Sequence, residues 1–179
     1  ATMPLNFPAV GSTSTAVEAL RKALFGETPD YQLYPGSLSR NGHARGLVIG
    51  GNLSILCSLS GTPSELETEG KILFIEDLDE YLYHIDRMMM NLKRGGKLDR
   101  LAGLVVGGLS QMRDNTILFG KTAEEIVADT VKEYKYPVLF GFPAGHQDEN
   151  LPLFLGREAV LDVNPGSGSL SFMQSNVGT

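Results

Sequence analysis

Two residues in this sequence have the type and setting for acid–base chemistry, Glu76 and His146. Glu76 closes a short apolar run, Ile72-Leu73-Phe74-Ile75, whose β-branched and aromatic content predicts a buried strand. His146 follows a second such run, Val138-Leu139-Phe140, inside the Gly/Pro loop GFPAGHQD at 141–148. Both therefore sit just past the carboxyl end of a predicted strand, where open α/β sheets collect their ligands. A carboxylate that holds one imidazole nitrogen fixes the tautomer and supports the imidazolium formed when the other nitrogen takes a proton. Histidine suits that task because its unperturbed pKa of ~6.5 lies near working pH. Such a pair needs a nucleophile within reach, and no serine lies on a G-x-S-x-G elbow. Ser54 and Ser58 fall on a short predicted helix, Ser110 follows a strand without the pattern, and Cys57 reads as core among Ile55, Leu56 and Leu59.

Other candidates have plainer readings. His84 lies on a helix and reads as a surface or boundary residue; His43, after Asn41-Gly42, reads as part of a turn. Glu76, Asp77, Asp79, Glu80 and Asp86 form an acidic cluster, but their spacing matches no EF-hand loop. With no CxxC and no paired-histidine spacing, no metal site and no cofactor is expected. Asn52 follows Gly50-Gly51 and precedes a helical segment; it can cap that helix, and the glycines let backbone approach a ligand.

The elements that must position these groups can be read in order. Residues 1–13 are rich in Pro, Gly and Thr and read as an incoming linker, 14–173 as one domain, and 174–179 as a tail. Thr15 with Glu18 forms a capping-box pattern ahead of a short helix, and Thr122 with Glu125 forms another. Strands are predicted around Tyr31–Tyr34, at Leu47-Val48-Ile49, Ile72–Ile75, Leu101–Leu109 and Pro137–Phe140. Leu78, Tyr81, Leu82, Ile85, Met88, Met89 and Leu92 recur at helical spacing, placing a helix directly after Asp77 and ending at Gly95-Gly96. Leu151–Leu155, Ala159–Val163 and Ser169–Met173 read as a small C-terminal antiparallel strand set. The fold class is mixed α/β.

The net charge of −6, with no basic run longer than two residues, argues against nucleic acid or an anionic membrane as partner. The uncharged stretch 46–64 is long enough to cross a bilayer but is broken by Gly50-Gly51-Asn52, serines and Thr62-Pro63. The single cysteine fits a reducing compartment.

Three segments in order, GLVIGGNLSILCSLSGTP (46–63), GKILFIEDLDEYLYHIDRMMMNLKRGGKLDRLAGLVVGG (70–108) and FGFPAGHQDENLPLFLGREAVLDV (140–163), closely resemble the C-terminal domain of the LD-carboxypeptidases. That family also includes the microcin C self-immunity peptidases. The resemblance covers roughly residues 44–163 and implies a swivelling β/β/α-type domain. It implies a Ser-Glu-His triad, with the Glu at Glu76, the His at His146, and the serine in an N-terminal flavodoxin-like domain upstream of this portion. Asn52 falls in the motif near the family's site and is expected to bind substrate. The implied activity of the whole enzyme is release of the terminal D-alanine from muropeptide tetrapeptides in peptidoglycan recycling. The resemblance also implies a homodimer in the bacterial cytoplasm, with no cofactor. Without the serine domain this chain alone is expected to be inactive. The alternatives are a microcin-type immunity peptidase acting on another amide, and a non-catalytic binding module.

Overall fold

The computed structural model describes residues 14–174. The linker expected at 1–13 and the tail beyond 174 lie outside the described residues. Seven strands form one sheet in the order β1-β7-β6-β2-β3-β4-β5. These are β1 (Asp30–Leu33), β2 (Gly42–Asn52), β3 (Ile72–Leu78), β4 (Gly103–Ser110), β5 (Val138–Phe140), β6 (Glu158–Asn164) and β7 (Ser167–Phe172). The four helices are α1 (Thr15–Leu24), α2 (Leu53–Ser58), α3 (Leu82–Arg94) and α4 (Ala123–Thr130).

The long strand β2 joins two halves of different character. Its first part, Gly42–Leu47, pairs antiparallel with β6, and its second part, Val48–Asn52, pairs parallel with β3. In the parallel half β2-β3-β4-β5, the strands β3, β4 and β5 are buried on both faces, which is why they read as apolar runs. The antiparallel half alternates buried with partly exposed residues along β6 and β7. The C-terminal strands are thus built into the main sheet. Leu151–Leu155, expected as a strand, has no regular structure.

Period-two alternation along β3 divides the core. Leu73 and Ile75 face a cluster formed with Leu82, Ile85, Met89 and Leu92 of α3 and Ile126 and Val127 of α4. Ile72 and Phe74 face a second cluster with Val48, Leu139, Phe142, Leu161 and Leu170. The sheet curls around this second cluster: a side chain at Gly168 on β7 would meet Leu139 of β5 at 2.7 Å, and one at Gly103 on β4 would meet Leu161 of β6 at 2.7 Å.

Three local expectations are corrected. Strand β3 continues through Glu76 and Asp77 to Leu78, and the helix begins only at Leu82, so these acids are strand residues and not a helix's first turn. Extended pairing with β2 and β4 outcompetes the helical spacing there. Ser14 precedes α1 without a side-chain cap, and Glu18 is held by Arg21 at 2.7 and 2.8 Å, so no capping box forms at Thr15. The box at Thr122 and Glu125 does form. His43 lies within β2, paired with Asp162 of β6 at 2.7 Å, and not in a turn.

Candidate active site

Because β3 alternates, Glu76 and Asp77 point to opposite faces of the sheet. Glu76 falls on the Ile72/Phe74 face. There its Oε2 accepts from the His146 ring nitrogen Nδ1 at 2.8 Å and from the His146 backbone N–H at 3.1 Å. The Glu76 side chain is only 7% exposed whereas that of His146 is 40% exposed. The acid is therefore desolvated and fixed while the imidazole remains reachable. With Nδ1–H donated to the carboxylate, Nε2 is the nitrogen left to accept a proton.

The loop carrying His146 is held in place from several sides. Phe142, fully buried, stacks edge-on with Tyr31 at 5.3 Å and with Phe74 at 6.2 Å. The Tyr31 hydroxyl donates to the Pro152 carbonyl, and burial raises its pKa to about 12. Buried Asn150 accepts from Gly145 N–H at 3.1 Å, and Gln147 donates to the Phe142 carbonyl at 3.2 Å. Two glycine positions make the close approach possible. A Cβ on Gly107 would collide with the Ala144 carbonyl oxygen, and one on Gly145, at φ 115°, would lie 2.8 Å from both Cβ and Oε2 of Glu76. Gly107-Gly108 also absorb the register shift between β3 and β4, opposite Glu76.

Asp77 faces the helices. Almost fully buried, it accepts from Asn52 Nδ2 at 2.8 Å, Ser54 N–H at 3.0 Å, Ser54 Oγ at 2.7 Å and Leu78 N–H at 2.9 Å. Asn52 caps α2 as expected, its Oδ1 accepting from Ile55 N–H at 3.1 Å. The Asn52 amide is thus engaged on the helix side, while its neighbour Gly51 lines the cleft beside Glu76 and His146. Ser54 bonds to carboxylates, Asp77 and Glu80, and not to an imidazole. Cys57 packs against the helical core, on the sheet face opposite His146, and burial first and then Asp77 raise its thiol to about 11. His84 pairs with Glu80 at 2.7 Å beside Tyr83, at the boundary expected of it. The sequence weighs Asp77 only as part of an acidic cluster, and it singles out neither Asn150 nor the Gly107-Gly108 shift. Only the alternation of β3 could have signalled Asp77's separate role.

The cleft above the pair has a volume of about 440 Å³. Its lining includes Gly51, Phe74, Leu78, Gln111, Leu153 and Leu155, two carboxylates (Glu76 and Asp148), and no lysine or arginine. Among the described residues that line it there is no serine, threonine or cysteine.

A buried carboxylate orienting an accessible imidazole at the sheet edge fits the sequence profile that matches residues 45–161, that of the LD-carboxypeptidase C-terminal domain. The chain belongs to this family. A probable murein peptide carboxypeptidase of Bacillus subtilis is 38% identical over 149 residues, covering 82% of this chain and 47% of that protein. The microcin C7 self-immunity protein MccF of Escherichia coli is 29% identical, covering 69% of the chain and 36% of its own length. The crystal structure of a muramoyltetrapeptide carboxypeptidase from Oxalobacter formigenes superposes with a TM-score of 0.80 at 25% identity, over 90% of this chain and 56% of that one. The LD-carboxypeptidase domain described here therefore spans about half the length of the curated relatives it matches. Among the described residues no helix is long and apolar enough to cross a membrane.

Proposed function

We propose that this chain is the acid–base half of a serine LD-carboxypeptidase that releases the terminal D-alanine of muropeptide tetrapeptides, and that it is inactive alone. The observation that carries this reading is a hydrogen-bonded Glu76–His146 pair in a cleft whose described lining offers no hydroxyl or thiol. In this reading a serine from an N-terminal domain outside the chain meets His146 Nε2. As the hydroxyl attacks the amide carbonyl, Nε2 takes its proton and Glu76 stabilises the imidazolium. The imidazolium then protonates the departing amine of D-alanine, leaving an acyl-enzyme. Water, deprotonated by the same nitrogen, releases the shortened peptide and restores the serine. Groups that meet the terminal carboxylate of the substrate also come from the other domain, since the lining described here contributes carboxylates and no cation.

Asn52 belongs to the substrate-binding wall in this proposal, next to Gly51. A cytoplasmic location and a homodimer complete it; the lone Cys57 supports a reducing compartment. The likeness to MccF supports one second reading, an immunity peptidase acting on a different amide. The test measures D-alanine release from a muropeptide tetrapeptide by this chain alone and by the protein that includes the preceding domain. Release by the longer protein only, abolished by His146→Ala, is expected. Release by the isolated chain would overturn the missing-nucleophile reading. Cleavage of a microcin-type aminoacyl nucleotide with no action on the muropeptide would favour the second reading.

A further inference from the structure

Strand β2 loses its antiparallel partner before it ends. Pairing with β6 stops at Leu47 opposite Glu158. Val48 still uses that edge, donating to the Arg157 carbonyl at 2.9 Å and accepting from Gly156 N–H at 2.8 Å. Strand groups alternate in direction with a period of two. The N–H and C=O of Gly50 and the N–H of Asn52 therefore point to the same edge as those of Val48, away from β3. No described strand pairs with that edge beyond Leu47.

The glycines confirm this orientation. At φ 124°, a Cβ on Gly50 would run into the Phe74 carbonyl oxygen of β3. At φ 149°, a Cβ on Gly51 would point the other way and meet nothing within 4 Å. At Gly51 the side-chain position thus has no atom within 4 Å beyond the chain neighbours, and Gly51 is part of the cleft wall shared with Glu76 and His146.

We infer that this edge, Gly50 C=O with Asn52 N–H, is the binding rail for the extended peptide stem of the substrate, held by backbone hydrogen bonds as an added strand. Backbone recognition by a strand edge is a common mode for extended peptides, with main-chain hydrogen bonds supplying the affinity. The inference rests on the reading of the cleft as a peptidase site. It adds where the chain of the substrate lies, how it is gripped, and that Asn52 contributes through its backbone.

The experiment is a backbone scan of the substrate with the active enzyme that contains this domain. Tetrapeptides N-methylated at one amide nitrogen at a time are assayed for kcat/KM. One methylation, at the N–H facing the Gly50 carbonyl, should lower kcat/KM about tenfold, as expected for one hydrogen bond, and its sequence neighbour should not. In parallel, amide hydrogen exchange is followed in a His146→Ala enzyme with and without the unmethylated tetrapeptide. Asn52 N–H should be protected by the peptide, while Gly51 N–H, already directed to β3, should not change. A flat methyl scan and unprotected Asn52 with D-alanine still released would overturn the rail and leave the peptidase reading intact. No D-alanine release, with Asn52 protected by an extended peptide, would retain the rail and remove the muropeptide reading.

Discussion

Replacing Glu76 by glutamine tests the catalytic geometry most directly, because the structure sets which way the new amide must face. Oε2 receives two donors from His146, Nδ1–H at 2.8 Å and the backbone N–H at 3.1 Å. The backbone donor cannot invert. An amide NH2 placed there would oppose it head-on, so the glutamine should turn its carbonyl oxygen toward His146 and preserve the Nδ1–H tautomer. What is lost is charge. The backbone bond is the same before and after the ring gains its proton, so only the Nδ1–H bond, which becomes a bond between two ions, bears on kcat. A charged hydrogen bond is worth about 1.5–3 kcal/mol, a fall in kcat of roughly 10- to 150-fold at about 1.4 kcal/mol per factor of ten. Carboxylate-to-amide changes that invert the tautomer of a serine peptidase cost ~10⁴. The assay is kcat for D-alanine release across pH 6–9, with the ring-nitrogen chemical shifts of His146 recorded by NMR. A 10⁴-fold loss together with an Nε2–H tautomer would refute the orientation argument. A loss under about threefold, with His146→Ala inactive, would show that the pair does not work as acid and base.

Three further outcomes are expected. Gly145→Ala must place a methyl 2.8 Å from Glu76 Oε2 at a positive φ, displacing the His146 loop; kcat should fall at least ~10²-fold, with a correctly folded far-UV spectrum. Asn52→Ala removes the α2 cap and one donor to buried Asp77, so urea denaturation should show a loss of about 1–2 kcal/mol, with kcat/KM lowered less than tenfold because the backbone edge remains; a larger kinetic loss at unchanged stability would put the amide itself on the substrate. Cys57, with its thiol raised to about 11, should label slowly with a disulfide reagent at pH 8 and rapidly once unfolded; because the folded state disfavours its thiolate, its contribution to stability is lost as pH rises past the unfolded thiol's value toward 11.

The sequence alone determined the strand positions of the parallel half, the helices α2 and α4 with their caps, and the placement of His146 in the loop after β5. These follow from apolar runs and from capping geometry, which are local. It also carried the family resemblance, through three motifs in order. Where helical spacing and extended pairing competed, at Glu76 to Tyr81, the sequence was ambiguous, and only hydrogen bonding to β2 and β4 decided for strand. That decision matters chemically, because a helix would have placed Glu76 and Asp77 about a hundred degrees apart on one exposed turn, whereas the strand sends one to the imidazole and buries the other beneath α2. The curl of the sheet, the glycine clearances at Gly107 and Gly145, and the open edge at Gly50-Gly51 depend on segments far apart in the chain. No local pattern encodes contacts between residues 70 or more positions apart, so tertiary packing alone joined the acid to its base.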